Sequence, residues 1–337
     1  MVMYAIRAGA RRTLALFSLL LLSHTQVWAR NESIRIDGSS TVHPLTASMA
    51  EEFGRTRDGN PPFLLGISGT TGGFRLFCRG VADIANASRP INHEEMAACR
   101  KTGIRYLELP VAFDAITVVV NPRNTWARSM TVAELGRIWE RESEALVIRW
   151  SDVRPEWPNE RLNLFMPGAN SATSEYFTRV ILGESKSSRR DVTCSENDNI
   201  LLQGVAGDPN ALGYFGYSYY LNNAERLTAV AIDCGCGESV RPNAETVLSG
   251  RYYPLSRPLF IYVRDTYLRQ PAMREFVEFY LRNAGKHAGR MGFFPLSDTL
   301  YKETLSRLEE PRYGTVFDGK TWTGLHIEDV FAQQPRE

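Results

Sequence analysis

From Ser33 onward the chain alternates two kinds of segment, and that alternation narrows the fold more than any single residue does. Short β-branched or aromatic runs bounded by Gly, Pro or Asn predict strands at Ser33–Ile36, Phe63–Ile67, Asp83–Ala87, Ile116–Asn121, Leu162–Met166, Leu212–Tyr217, Leu227–Ile232 and Leu259–Val263. Helical signals fill the gaps. Leu45, Met49 and Phe53 recur every four residues, Phe74, Phe77, Cys78 and Val81 share one helical face, and Thr131–Glu134 spells a capping box opening a helix through Trp139. This is the α/β pattern, without internal repeat or low-complexity linker. The apolar stripes read as core, and none is a cofactor box.

The first 29 residues stand apart. Arg7, Arg11 and Arg12 precede the apolar run Leu14–Leu22, and Val27-Trp28-Ala29 offers a small residue for cleavage. The segment reads as a secretory signal peptide cleaved near Ala29, too short and too interrupted by His24, Thr25 and Gln26 to span a membrane. It carries three Arg and no acid, so its removal leaves 36 bases against 38 acids, a net of −2 in place of +1. A balance so near zero gives no electrostatic reason to expect a nucleic-acid partner. The remaining length allows two ordinary domains.

Export places Cys78, Cys99, Cys194, Cys234 and Cys236 in an oxidising compartment. Cys78 and Cys99 bracket a compact βα-like segment and are the expected disulfide. Cys234-Gly235-Cys236 lacks a matching His or second Cys pair for a metal and reads as a loop thiol pair. No cofactor or metal is expected.

Small polar residues gather at three strand-to-helix turns: Gly38–Val42, Ser68–Gly73 and Gly168–Ser174. A helix start presents unpaired N–H groups and about half a positive charge, and neighbouring hydroxyls add donors. One such cluster alone is an ordinary cap. Three together suit a small oxyanion, and Arg89, at the end of the strand Asp83–Ala87, supplies a permanently charged fork. Hydrogen bonds to charged groups contribute about 1.5–3 kcal/mol each. Some six of them could offset desolvation and leave the roughly 8 kcal/mol of a micromolar complex.

In these residues the chain resembles the periplasmic phosphate-binding proteins, the solute receptors of high-affinity phosphate ABC transporters. The likeness runs from about Ser33 to Glu309 through Asp37–Val42, Gly66–Phe74, Asp83–Ile91, Gln203–Asp208, Ala211–Tyr217 and Pro254–Leu259. It implies a two-lobed periplasmic-binding-protein type II fold, each lobe a central mixed sheet flanked by helices, joined by two hinge crossovers. Pro110–Val120 and Arg257–Val263 look like those crossovers. Lobe 1 is then residues 31–115 and 258–337, and lobe 2 is 116–257. Carried over position by position, the ligand set is Ser40, Thr41 and the Val42 amide, Thr70 and Thr71, Arg89, and Ser171, the Ala172 amide and Thr173. Some members have an Asp acceptor where Arg89 stands and an Arg where Pro167 stands. The swap is similar to the branch that includes the cyanobacterial-type receptors. It leaves rejection of sulfate to another acceptor, such as Asp83 or Asp114, or makes it weaker. The resemblance further implies hinge closure, inorganic phosphate as ligand, a membrane permease as partner, a periplasmic location and a monomer.

Two rival classes were weighed. A secreted phosphate-ester hydrolase finds little support, because Gly66–Thr70 lacks the final Gly of a nucleophile elbow and His43, His93, His287 and His326 show no metal spacing. Gly314–Thr321 matches the phosphate-loop pattern, yet only 16 residues follow it, so a surface turn is expected. A surface adhesin would use Trp126, Trp150 and Trp157, which more often cover a core. The chain is therefore expected to be no enzyme.

Overall fold

The computed structural model describes residues 33–56, 61–168, 171–185, 187–319 and 327–336. The expected signal peptide and its cleavage point lie outside the described residues. Among the described residues no helix is long and apolar enough to cross a membrane. The first third comprises β1 (Ile34–Gly38), α1 (His43–Gly54), β2 (Phe63–Leu65), α2 (Gly69–Cys78), β3 (Ile84–Ala87), α3 (His93–Lys101) and β4 (Tyr106–Val120). Then come β5 (Ser129–Thr131), α4 (Val132–Trp139), α5 (Trp150–Val153), β6 (Asn163–Pro167), α6 (Ala172–Leu182), β7 (Thr193–Ser195), α7 (Asp198–Gly207) and β8 (Ala211–Gly216). The remainder is α8 (Tyr217–Leu221), β9 (Thr228–Ala229), β10 (Ala231–Asp233), β11 (Ser239–Val240), α9 (Ala244–Leu248), β12 (Ser256–Arg264), α10 (Pro271–Arg290), α11 (Asp298–Glu309) and α12 (Ile327–Phe331).

The main sheet runs β2-β1-β3-β12-β4-β8-β6-β7, with β9 also on β4. Its flanks are parallel, β2, β1 and β3 on one side and β8, β6 and β7 on the other. The centre is antiparallel, and β4 holds it together. Tyr106–Ala115 pairs with β12, and from Ile116 the same strand pairs with β8. Fifteen residues are long for one strand, and the change of partner explains the length.

Both faces of the central strands are covered, so they read as continuous apolar runs. Leu259, Ile261 and Val263 of β12 pack with α1 and α10, where Phe53 meets Phe276 and Phe279. Phe260 and Tyr262 point the other way, with Tyr262 edge-on to Phe74 of α2. On the far flank Trp139, Phe177 and Tyr214 join α4, α6 and β8. The Sγ atoms of Cys78 and Cys99 lie 1.99 Å apart, at bonding distance between α2 and α3. The capping box at Thr131 forms as read, Thr131 accepting from the Glu134 amide and Glu134 from the Thr131 amide.

Two local readings change. The run Leu227–Ile232 is two strands in different sheets, because the amide of Val230 donates to Val118 while that of Ala231 turns to Arg128. Gly314–Thr321 is no surface turn where it is described: Thr315, Val316 and Phe317 are buried. There the Thr315 hydroxyl and Val316 amide donate to Glu108 of β4 at 2.7 and 3.1 Å. Burial pushes the Glu108 carboxyl up despite these donors. Lys320 and Thr321 lie outside the described residues. Trp150 and Trp157 are buried, with Trp150 edge-on to both Trp126 and Trp157, which is the core placement expected of them.

Candidate functional site

Sheet geometry brings the first two polar turns into backbone contact. Gly38 ends β1 with φ 138°, and a Cβ there would lie 2.1 Å from the Asn86 carbonyl of β3. A Cβ on Gly73 would in turn meet Gly38 Cα at 2.5 Å. Only glycine at both positions lets α2 start against the end of β1. Neither Val42 nor Ser68, the residues preceding α1 and α2, caps its helix with a side chain. Ser68 instead donates its hydroxyl to Asp37 at 2.6 Å, which ties it to the end of β1.

A small polar pocket forms where these turns face α6 and the start of β12. It is lined by Ser39, Ser40, Thr41, Gly69, Thr70, Ser88, Ala172, Glu175, Tyr176, Arg179 and Arg257 and holds about 260 Å³, open to solvent. Of the residues expected from sequence, the structure brings Ser40, Thr41, Thr70 and Ala172 together here. Thr70 shares a hydrogen bond of 3.1 Å with Ser88 and accepts from the Ser88 amide.

The other expected residues are placed elsewhere. Val42 is fully buried, Ser171 caps α6 by accepting from the Thr173 amide, and neither Ser171 nor Thr173 lines the pocket. Arg89 is held outside this pocket. Its guanidinium forks onto Glu95 at 2.9 and 2.7 Å, with a further bond to the Thr71 hydroxyl, and so turns away from the polar pocket together with Thr71. Glu95 is fixed in place as part of the α3 capping box, which is why it captures this Arg. Arg89 lines an adjoining larger space of about 810 Å³ with Arg179, Tyr253 and Arg257.

The cation in the pocket is Arg257, 4% exposed. Asp114, across the β4–β12 pairing, accepts from its Nε and Nη2 at 3.2 and 3.0 Å. Nη2 also donates to the Thr41 hydroxyl at 2.7 Å and Nη1 to Ser88 at 3.3 Å. The Tyr176 ring lies 3.9 Å from its Cζ, and the Tyr176 hydroxyl is held by the carbonyls of Pro254 and Ser256. These contacts fix the orientation of the guanidinium. Arg179 adds a second positive charge, and burial followed by the nearby Arg257 pushes its pKa down. Glu175 is the carboxylate lining the pocket. Neither acceptor expected from sequence does so: Asp83 takes the amide, Nε and Nη2 of Arg35, and Asp114 is committed to Arg257.

Sequence reasoning missed Ser39, Ser88, Glu175, Arg179 and Arg257. For two of these a signal existed. Glu175 and Arg179 sit three and seven residues beyond Ala172, on the same face of α6. Arg257 lay in a quoted motif but reads locally as strand.

Two α/β halves sharing a pair of central strands, with polar strand-end turns opening on one pocket, define a solute-binding protein of the periplasmic type. Comparison with known proteins agrees. The family described as the PBP superfamily domain matches residues 24–284. Protein SphX of Synechocystis is 47% identical over 305 residues, covering 90% of each chain. Phosphate-binding protein PstS of Staphylococcus saprophyticus is 32% identical over 82% of this chain and 84% of its own. A solved structure of a possible phosphate binding protein from Planctomyces limnophilus superposes with a TM-score of 0.77 at 44% identity, over 82% of this chain and 98% of that one. An ABC-type phosphate transport receptor from Vibrio cholerae, 22% identical over 78% of this chain and 99% of its own with a TM-score of 0.63, shares the fold. The chain belongs to the phosphate-binding proteins of the PBP superfamily.

Proposed function

We propose that the chain is an exported receptor that captures inorganic phosphate in a cleft between two lobes and delivers it to an ABC permease. The observation that carries this reading is the preset guanidinium of Arg257, bonded to Thr41 and Ser88 and stacked on Tyr176 among the helix starts. Hydroxyls of Ser39, Ser40, Thr41, Thr70 and Ser88 supply the neutral contacts, and Arg257 with Arg179 supplies the charge. The Ala172 amide at the start of α6 closes the cradle from the other half.

Lobe 1 comprises residues 31–115 and 258–337 and lobe 2 residues 116–257. The partner change on β4 between Ala115 and Ile116 supports that division. Closure then needs the anion to touch both lobes. A periplasmic location after cleavage near Ala29, a Cys78–Cys99 disulfide and a monomeric state complete the proposal.

Binding without turnover is the decisive property. Titration calorimetry with phosphate, sulfate and molybdate, beside an assay with a chromogenic phosphate ester, tests it. Stoichiometric phosphate uptake with no released chromophore is expected. Ester turnover, or no heat with phosphate, overturns the reading.

A further inference from the structure

Away from the anion pocket, the turn between β10 and β11 assembles a pair of thiols. Among the described residues, Asp233, Cys234 and Cys236 form the one tight cluster of metal-type side chains. The two sulfurs lie 2.7 Å apart, with Cys236 exposed and Cys234 half-buried. Asp233 enforces that approach by accepting from the amides of Gly235, Cys236 and Gly237 at 2.8, 3.1 and 3.1 Å. Gly235 and Gly237 take φ values of 96° and 82°, open to glycine at little cost. The ends of the turn are anchored too, Asp233 standing opposite Ser239 in β11 and Thr131 in β5. The turn has thus been folded around its sulfurs, while the pocket described above makes no use of it.

We propose that Cys234 and Cys236 are a thiol–disulfide exchange site whose substrate is an external disulfide. The Cys236 thiolate attacks one sulfur of R–S–S–R, forming a mixed disulfide on Cys236 and expelling R–S⁻, which takes up a proton. Cys234, after losing its proton to solvent, attacks the Cys236 sulfur, forms the intra-turn disulfide and expels the second R–S⁻. Two cysteines lose two electrons and two protons, and the external disulfide gains both. The reverse sequence reduces the turn at the expense of two external thiols.

Exposure assigns the order of attack. Cys236 is exposed and its sulfur accepts from the Glu238 amide, whereas Cys234 is half-buried. The more exposed sulfur is the nucleophile. A ring closed across a single residue is small, and exposed or strained disulfides are the readily exchanged ones.

The test uses the mature protein and Ellman's reagent, itself a disulfide, with alkylation and peptide mass mapping at the end point. The expected result is two equivalents of released thiol from the turn, no reagent left on it, and a 234–236 peptide lighter by two hydrogens. In Cys234→Ser the reagent stays on Cys236, and in Cys236→Ser the second release is lost. Cys194, exposed on β7, gives one equivalent and one adduct in every variant. A wild-type turn that ends with reagent on both sulfurs, or with both still alkylatable after excess reagent, overturns the proposal. A circular dichroism melt of each variant confirms that the exposed turn has not unfolded the chain.

Discussion

Replacing Arg257 by Ala separates the structural reading of the site from the reading by sequence alone. In the pocket this guanidinium has one carboxylate, two hydroxyls and an aromatic face as partners. A tetrahedral anion that displaces the Ser88 hydroxyl from Nη1 would take both Nη1 hydrogens as charge-assisted bonds. At about 1.5–3 kcal/mol each, their loss costs roughly 3–6 kcal/mol. Since 1.4 kcal/mol is about a tenfold change, phosphate affinity should fall by about a hundredfold to ten-thousandfold. The variant also strands Asp114, so Arg257→Ala with Asp114→Asn serves as the companion that removes the unpaired charge. Calorimetry reads the affinity, and a thermal melt shows that each variant is folded. Arg89→Ala should lose less than tenfold, because Arg89 is held by Glu95 outside the pocket. The opposite order, strong loss at Arg89 and near-native binding at Arg257, would refute the assignment and restore the sequence-based one.

Other outcomes follow from single contacts. Glu175→Gln should narrow the preference for phosphate over sulfate by about tenfold in competition calorimetry, since a carboxylate accepts a proton-bearing anion and repels a bare one; an unchanged ratio excludes Glu175 as the discriminating acceptor. Cys78→Ala with Cys99→Ala should lower stability in urea by about 2–4 kcal/mol, and an unshifted midpoint would show that the two are unpaired in solution. Burial pushes the Glu134 carboxyl up, but hydrogen bonds from Arg154 and Thr131 outweigh it and hold it below its ordinary value of 4.5. A carboxyl lowered by folding stabilises the protein above that unfolded value, and the contribution fades as pH falls through the folded one. Urea midpoints from neutral to acid pH should therefore decline less steeply in Glu134→Gln than in wild type; parallel slopes would contradict it.

What the sequence disclosed was whatever is written locally. The first two turns, the capping box at Thr131 and the stripe of α1 are short-range patterns, and each stands where its residues put it. Arg257 could not be read that way. Its position depends on the pairing of β12 with β4, which sets it opposite Asp114 across 143 residues. Arg89 misled for the converse reason: it lies beside the right turn, but Glu95, six residues on, captures it. The split at Val230 left no trace because an apolar residue is buried there under either arrangement. Gly314–Thr321 reads as a surface turn, but where it is described Thr315 and Val316 satisfy the buried Glu108, a partner 207 residues away that no local pattern discloses.

The mutual contact of Gly38 and Gly73 has a consequence for ion size. The first turns of α2 are set against the end of β1 with no side chain between them, so the two cannot be moved apart independently. The gauge of the cradle can be altered only from the opposite bank, along Ala172, Glu175 and Arg179. Attempts to retune the receptor toward a larger oxyanion should therefore begin on α6, where a change of one residue moves a wall and leaves the foundation standing.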